Sequence, residues 1–309
     1  MREFGTAAPV LDAHARLGEC PLWSVAEQAL YWVDISACAV HRYTPASGRD
    51  DNWSMPCAPG CIALAASGGL VAALRDGFYR FFPGGADVSP VLNKIAAAPY
   101  DTQTMRFNDG RCDAAGRFWA GAMFEPRSSE RAGMFCLERG RVRAAWGEAE
   151  GWGVKVSNGL AFSRDGRQLF QADTPNHIIY RFAFDAANGT VSAREVFARM
   201  APRASPGEEH YGGRPDGAAI DAEGHYWSAQ YEGGCVLRFA PSGAISGVVR
   251  VPAARVTMAA FGGPRLTTLY ITTATDGASP AELNRDRHAG AIFAIELDIA
   301  GQPEPAYID

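Results

Sequence analysis

Apolar residues in this chain fall in short runs separated by glycine-centred turns. In "PDGAAIDAEGHYWSAQ" an apolar segment follows Asp216, a turn centres on Gly224, and a second apolar segment starts at Tyr226. "FNDGRCDAAGRFWAGA" and "SNGLAFSRDGRQLFQAD" repeat this order in the same register. With Asn108, Asn158 or Asp216 as position zero, offset five is Asp113, Ser163 or Asp221, offset eight is Gly116, Gly166 or Gly224, and offset eleven is Trp119, Leu169 or Trp227. "GECPLWSVAEQALYWVDI" joins the set with Glu19 at zero, Ser24 at five and Leu30 at eleven, without the turn glycine. "CIALAASGGLVAAL" and "TMAAFGGPRLTTLYITTA" keep the strand–turn–strand order and put Cys61 or Ile62, and Thr257, near position zero. Apolar runs of this length bounded by turn residues predict strands.

Each unit continues into a third predicted strand, such as "AVHRYTP", "GMFCLERG" or "IIYRFAFD", ending in turn residues. The second strands are predicted to begin near residues 30, 70, 118, 169, 226 and 269, an irregular period of about 40 to 57 residues that suits four-stranded propeller blades with loop insertions. No amphipathic run of helical period longer than about twelve residues competes with the strands. The expected fold is therefore all-β, a six-bladed β-propeller forming one domain over residues 1–309, with "APVLDAH" near the N-terminus pairing into the last blade.

The composition narrows the partner. The 309 residues are 47% hydrophobic and 20% charged, with a net charge of −5 and no basic run. Neither nucleic acid nor an anionic membrane is an expected partner, which leaves a small molecule. Seven cysteines without a CxxC pair indicate neither a disulfide framework nor a zinc ribbon and fit a reducing cytoplasm. The N-terminus has no continuous apolar stretch, and the most apolar run is interrupted by Ser67, Gly68 and Gly69, so neither a signal peptide nor a membrane helix is expected. The sequence carries no signal for an oligomeric state.

In a propeller the innermost strand of each blade lines the central channel, so residues at one register converge on the axis. Position zero then becomes a site: Glu19, Asn108, Asn158 and Asp216 form an all-oxygen donor set suited to Ca²⁺, Mg²⁺ or Mn²⁺ rather than to structural zinc. The alternative is that Asn158-Gly159 and Asp216-Gly217 are turn formers recurring because blades recur. Turn chemistry does not account for Glu19, which precedes "CPLW". Two converging carboxylates without a cation would also repel each other.

At these residues the chain resembles the SMP-30/gluconolactonase/luciferin-regenerating-enzyme family, the group that includes regucalcin. The resemblance rests on "LGECPLW", "RFNDGRCDAAGRFWAGAM", "VSNGLAFSRDG", "PDGAAIDAEGHYW", "AAFGGPRLTTLYITTA" and "AGAIF", which span nearly the whole chain in order. It implies a six-bladed propeller with one divalent cation in the channel (Ca²⁺, Zn²⁺, Mn²⁺, Mg²⁺ or Fe²⁺) and hydrolysis of a sugar lactone. Carried over residue by residue, it implies metal ligation by Glu19, Asn158 and Asp216 and substrate contacts from Arg106, Asn108 and Glu125; the neighbours of Glu125 in "GAMFEP" differ from the family pattern. Asp216 is the expected general base, since a carboxylate beside a metal-activated water is placed to take its proton.

Two other functions share the fold and the cation: a phosphoesterase of the organophosphate-cleaving propeller type and a non-catalytic calcium-binding propeller. The sequence contains no G-x-S-x-G elbow, H-E-x-x-H, Walker A or Rossmann fingerprint. His210 is expected on the same rim as Asp216, as a solvated loop residue or a proton-transfer aid. Trp152 and Tyr211 are expected in blade packing rather than in the pocket wall. Specificity is expected from rim loops near residues 96–106, 124–132, 203–214 and 276–289.

Overall fold

The computed structural model describes residues 1–85, 88–205, 208 and 211–309. Twenty-five strands form six sheets. Their innermost strands are Gly18–Ser24, Pro59–Leu64, Met105–Cys112, Ser157–Phe162, Arg214–Ile220 and Val256–Gly262, each packed against the next around a closed ring. The second strands begin at residues 29, 70, 118, 168, 226 and 268, within one residue of the expected positions. The architecture is the six-bladed β-propeller.

Burial grades outward across each blade. Phe118–Phe124, a second strand, is buried along its length, whereas the fourth strand Arg49–Ser54 has no fully buried residue. Charged side chains on outer strands such as Arg49–Ser54 discourage pairing of the exposed edge with other chains. An aromatic pair bridges every junction between neighbouring blades: Trp53–Phe81, Phe78–Phe107, Trp119–Phe184, Phe170–Tyr226, Trp227–Phe261 and Trp23–Tyr270, with centroids 4.6 to 5.9 Å apart. Each such pair adds about 0.5–1.5 kcal/mol beyond its buried area.

Ala8–Leu11 pairs antiparallel with Ile292–Glu296 and completes the last blade, as expected from "APVLDAH". An unexpected strand precedes it: Arg2–Thr6 runs parallel to Ile245–Arg250 and makes the fifth blade five-stranded. The predicted rim loop after residue 276 contains a short helix, Pro280–Arg285, started by a capping box between Ser279 and Glu282. No helix among the described residues is long and apolar enough to cross a membrane.

All six inner strands carry a register shift at or beside position zero, at Glu19/Leu22, Pro59/Cys61, Phe107/Gly110, Asn158/Ala161, Pro215/Ala218 and Val256/Met258. A β-bulge re-aims the side chain it carries. Asn158-Gly159 is therefore a bulge inside a strand, with Gly159 in the left-handed region at φ 59°, and not a hairpin turn. The shift also corrects the second blade. Position zero there is Gly60, not Cys61 or Ile62, because a Cβ on residue 60 would lie 2.4 Å from the Phe107 carbonyl oxygen. The third blade's backbone occupies the space a side chain would need.

Candidate metal and substrate site

All six residues singled out for chemistry, Glu19, Arg106, Asn108, Glu125, Asn158 and Asp216, line one cavity of about 800 Å³. Four come from position zero of the first, third, fourth and fifth blades, where the bulges turn them toward the axis. The second blade contributes no side chain there. In the sixth, the Thr257 hydroxyl donates to the Gly18 carbonyl at 2.5 Å and lies 2.8 Å from Thr272 Oγ1, so it fastens the first blade to the last.

The amides form a relay across three blades. Arg106 Nη1 donates to Asn108 Oδ1 at 2.8 Å, Asn108 Nδ2 donates to Asn158 Oδ1 at 2.6 Å and to the Ser157 carbonyl at 3.0 Å, and Asn158 Nδ2 donates to Thr174 Oγ1 at 2.7 Å. Thr174 Oγ1 passes the chain on to the Pro215 carbonyl, beside Asp216. Both hydrogens of the Asn108 amide are thus engaged inside the protein, and its oxygen orients Arg106.

The carboxylates contrast with this network. Glu19 and Asp216 are buried, and Asp216 Oδ1 has no hydrogen-bond partner among the described residues. No side chain donates to Glu19 there; Cys20 follows it in the left-handed region at φ 48°, and the Cys20 backbone weakly holds the carboxyl down. Burial pushes both pKa values above the ordinary carboxylate range. The negative field of Asp109 adds to the effect on each, and that of Asp216 adds to it on Glu19. Asp109, one residue past Asn108, is itself raised to about 6 by burial; its Oδ2 accepts from the Leu160 amide at 2.8 Å while Oδ1 has no partner. Sequence reasoning did not mark Asp109, although two adjacent polar residues at a channel position were the available signal.

An orphaned buried oxygen, a second buried carboxylate without a side-chain donor and an oxygen-only donor set fit a hard divalent cation. Such an ion would offset the burial and the carboxylate fields that raise both pKa values.

A second acidic cluster, Asp221, Glu223 and His225, has its possible ligand atoms within 4.8 Å of one another. Arg238 already supplies the cation there, with Nη2 2.7 Å from Asp221 and 2.5 Å from Glu223. The offset-five and offset-eleven repeat has the same structural explanation: Trp227 Nε1 donates to Asp221 Oδ2 at 2.9 Å and Trp119 Nε1 donates to Asp113 Oδ2 at 2.8 Å. These are staples within a blade.

Glu125 stands in the cavity held by a residue the sequence did not mark. Arg75 donates to both of its oxygens, at 2.9 and 2.7 Å, and holds its pKa down. Arg106 Nε lies 3.9 Å from the same carboxylate. Arg16, Arg127, Arg214, Tyr231, Glu232 and Asp276 complete the polar wall. Trp152 packs edge-on against Phe182, and Tyr211 lies against His177 with Arg203 over its ring, as expected for packing aromatics. His210 lies outside the described residues.

Residues 17–275 match the SMP-30/Gluconolactonase/LRE-like region. The chain belongs to that family. Among its relatives, a 6-deoxy-6-sulfogluconolactonase of Pseudomonas putida is 40% identical over 94% of each chain, and a pentonolactonase of Haloferax volcanii is 36% identical over 97% of each. A solved structure of a calcium-binding protein, regucalcin, from Agrobacterium tumefaciens superposes with a TM-score of 0.88 over 99% of each chain, at 26% identity. Membership thus covers the ring that brings Glu19, Asn158 and Asp216 together.

Proposed function

We propose that this chain is a divalent-metal-dependent sugar lactonase that opens an aldono-1,4- or 1,5-lactone to the aldonic acid. The reading treats residues 1–309 as one catalytic propeller working in the cytoplasm on a small molecule. The observation that carries it is the pair of buried carboxylates, Glu19 and Asp216, converging with the Asn158 amide on one cavity beside Arg106 and Glu125. Relatives named as lactonases support the reaction class.

Glu19, Asn158 and Asp216 would hold the cation. When bound, it supplies Lewis-acid polarisation of the lactone carbonyl and a lowered pKa for water, a contribution of several kcal/mol. Asp216 Oδ1, without a donor among the described residues, takes the proton of the attacking water and returns it to the ring oxygen as the carbon–oxygen bond opens. Arg106 is held by Asn108 so that its remaining N–H groups meet the lactone oxygens. Glu125, fixed by Arg75, retains lone pairs for sugar hydroxyls, because a carboxylate has about four acceptor sites.

The test is a pH-indicator assay of arabinono-, galactono-, xylono- and gluconolactones on chelated protein to which each metal is returned. Metal-restored hydrolysis in the wild type that is lost in E19Q supports the proposal. If no lactone opens faster than in buffer with any of the metals, or E19Q matches the wild type, the reading is wrong.

A further inference from the structure

The charge lining the cavity shows what kind of lactone it takes. Five arginines and five carboxylates line it. Three of the arginines are matched: Arg75 by Glu125, Arg214 Nη2 by Glu232 at 3.1 Å, and Arg16 Nε by Asp276 at 3.4 Å. A divalent cation held by Glu19 and Asp216 would take up their charge. Arg106 and Arg127 then remain in excess.

Neither of these two has a carboxylate of its own. Arg106 is buried; one Nη donates to the Asn108 side chain and the Phe107 carbonyl, and its nearest acid is the 3.9 Å contact with a Glu125 already gripped by Arg75. Burial, with the neighbouring charges of Arg75 and Arg127 acting in the same direction, lowers its pKa to about 10. Arg127 makes no hydrogen bond or ion pair through its side chain among the described residues. Its positive field reaches Asp216, Glu125 and Arg106. It is held at the cavity lip in the left-handed region, φ 54°, with its amide bonded to the Phe124 carbonyl at 2.8 Å. A side chain larger than glycine adopts that backbone at a cost, which fixes where the guanidinium leaves the chain.

Surplus positive charge in a partly enclosed cavity is offset when the ligand brings an anion, and guanidinium groups bind oxyanions through charge-assisted hydrogen bonds. We propose that the preferred substrate is a sugar lactone with an anionic group (carboxylate, sulfonate or phosphate) on the carbon farthest from the lactone carbonyl, received by Arg127. This rests on the lactonase reading above and names the substrate class of the same site. Glu19, Asn158 and Asp216 set the carbonyl end and are buried, whereas Arg127 lines the same cavity from an exposed position, so the anion is met toward the mouth.

The experiment compares kcat/KM for glucono-1,4-lactone with that for glucaro-1,4-lactone, 6-deoxy-6-sulfogluconolactone and 6-phosphogluconolactone, using metal-loaded wild type and R127E. At least one charged lactone is preferred over the neutral one by about 10-fold or more at low salt. The preference shrinks in about 0.5 M NaCl. R127E lowers the charged-to-neutral ratio by about 30-fold, and the anion giving the largest drop identifies the group. A neutral preference, or a ratio unmoved by R127E, overturns the inference and leaves the lactonase reading standing. If no lactone of either kind opens faster than in buffer, the lactonase reading fails. Calorimetric binding of open-chain 6-deoxy-6-sulfogluconate then decides the inference, and equal affinity for wild type and R127E overturns it.

Discussion

Asp216 and Asp221 lie five residues apart on one strand and the turn that follows it, both buried, and they have opposite surroundings. Asp221 accepts from the Glu223 and His225 amides at 2.9 Å through Oδ1, and from Trp227 Nε1 and Arg238 Nε at 2.9 and 2.8 Å through Oδ2. Asp216 Oδ1 has no donor among the described residues. A buried carboxylate with every acceptor filled holds the blade together; one without partners is a cost the fold carries for a ligand. The difference comes from the bulge, which turns residue 216 to the axis, and from offset five, which turns residue 221 into its own blade.

The sharpest way to break this contrast is to neutralise each member in turn. D216N or E19Q lowers lactone turnover by about 10³-fold or more, because the contribution tied to the cation is several kcal/mol; steady-state kinetics at saturating metal measures it. The same change at the other site, D221N, leaves the buried Arg238 with only the exposed Glu223 as counter-charge and costs about 2 kcal/mol or more in urea unfolding. In metal-free protein D216N lacks that penalty. Equal destabilisation by the two would erase the distinction.

pH provides a gentler version of the same test. The folded-state pKa values of Glu19 and Asp216 are raised, so the folded protein binds protons that the unfolded chain releases. Their contribution to stability is fully present below about pH 4, the unfolded value, and is lost as pH rises through the folded values. Chelated wild type therefore becomes less stable from acidic to mildly alkaline pH, E19Q reduces the slope, and saturating divalent cation removes it; chemical unfolding across that range reads all three. The smallest expected effect is W227F, which deletes one donor to Asp221 and costs about 1 kcal/mol in the same assay, with no change in metal affinity by calorimetry.

The blades were legible in the sequence because strand, turn and strand are local and the repeat shows them several times over. Position zero was legible where it carries a polar side chain. It was misplaced in the second blade because Gly60 is dictated by the neighbouring backbone at Phe107, a contact made only once the ring is closed. Arg75, Arg127 and Thr174 escaped for the same reason. They sit at strand ends and on the rim, and no local pattern shows which of several loop residues will face the cavity. Arg2–Thr6 carried no cue either, since its partner strand lies more than two hundred residues away.

The pairing of Ala8–Leu11 with Ile292–Glu296 sets the timetable of assembly. During synthesis Ala8–Leu11 must wait, unpaired, until the ribosome has delivered Ile292–Glu296. A chain stalled before residue 292 leaves Ala8–Leu11 and Thr268–Thr273 without the strand they share, two bare edges that are each a template for self-association. Self-association therefore competes with folding until that one strand arrives.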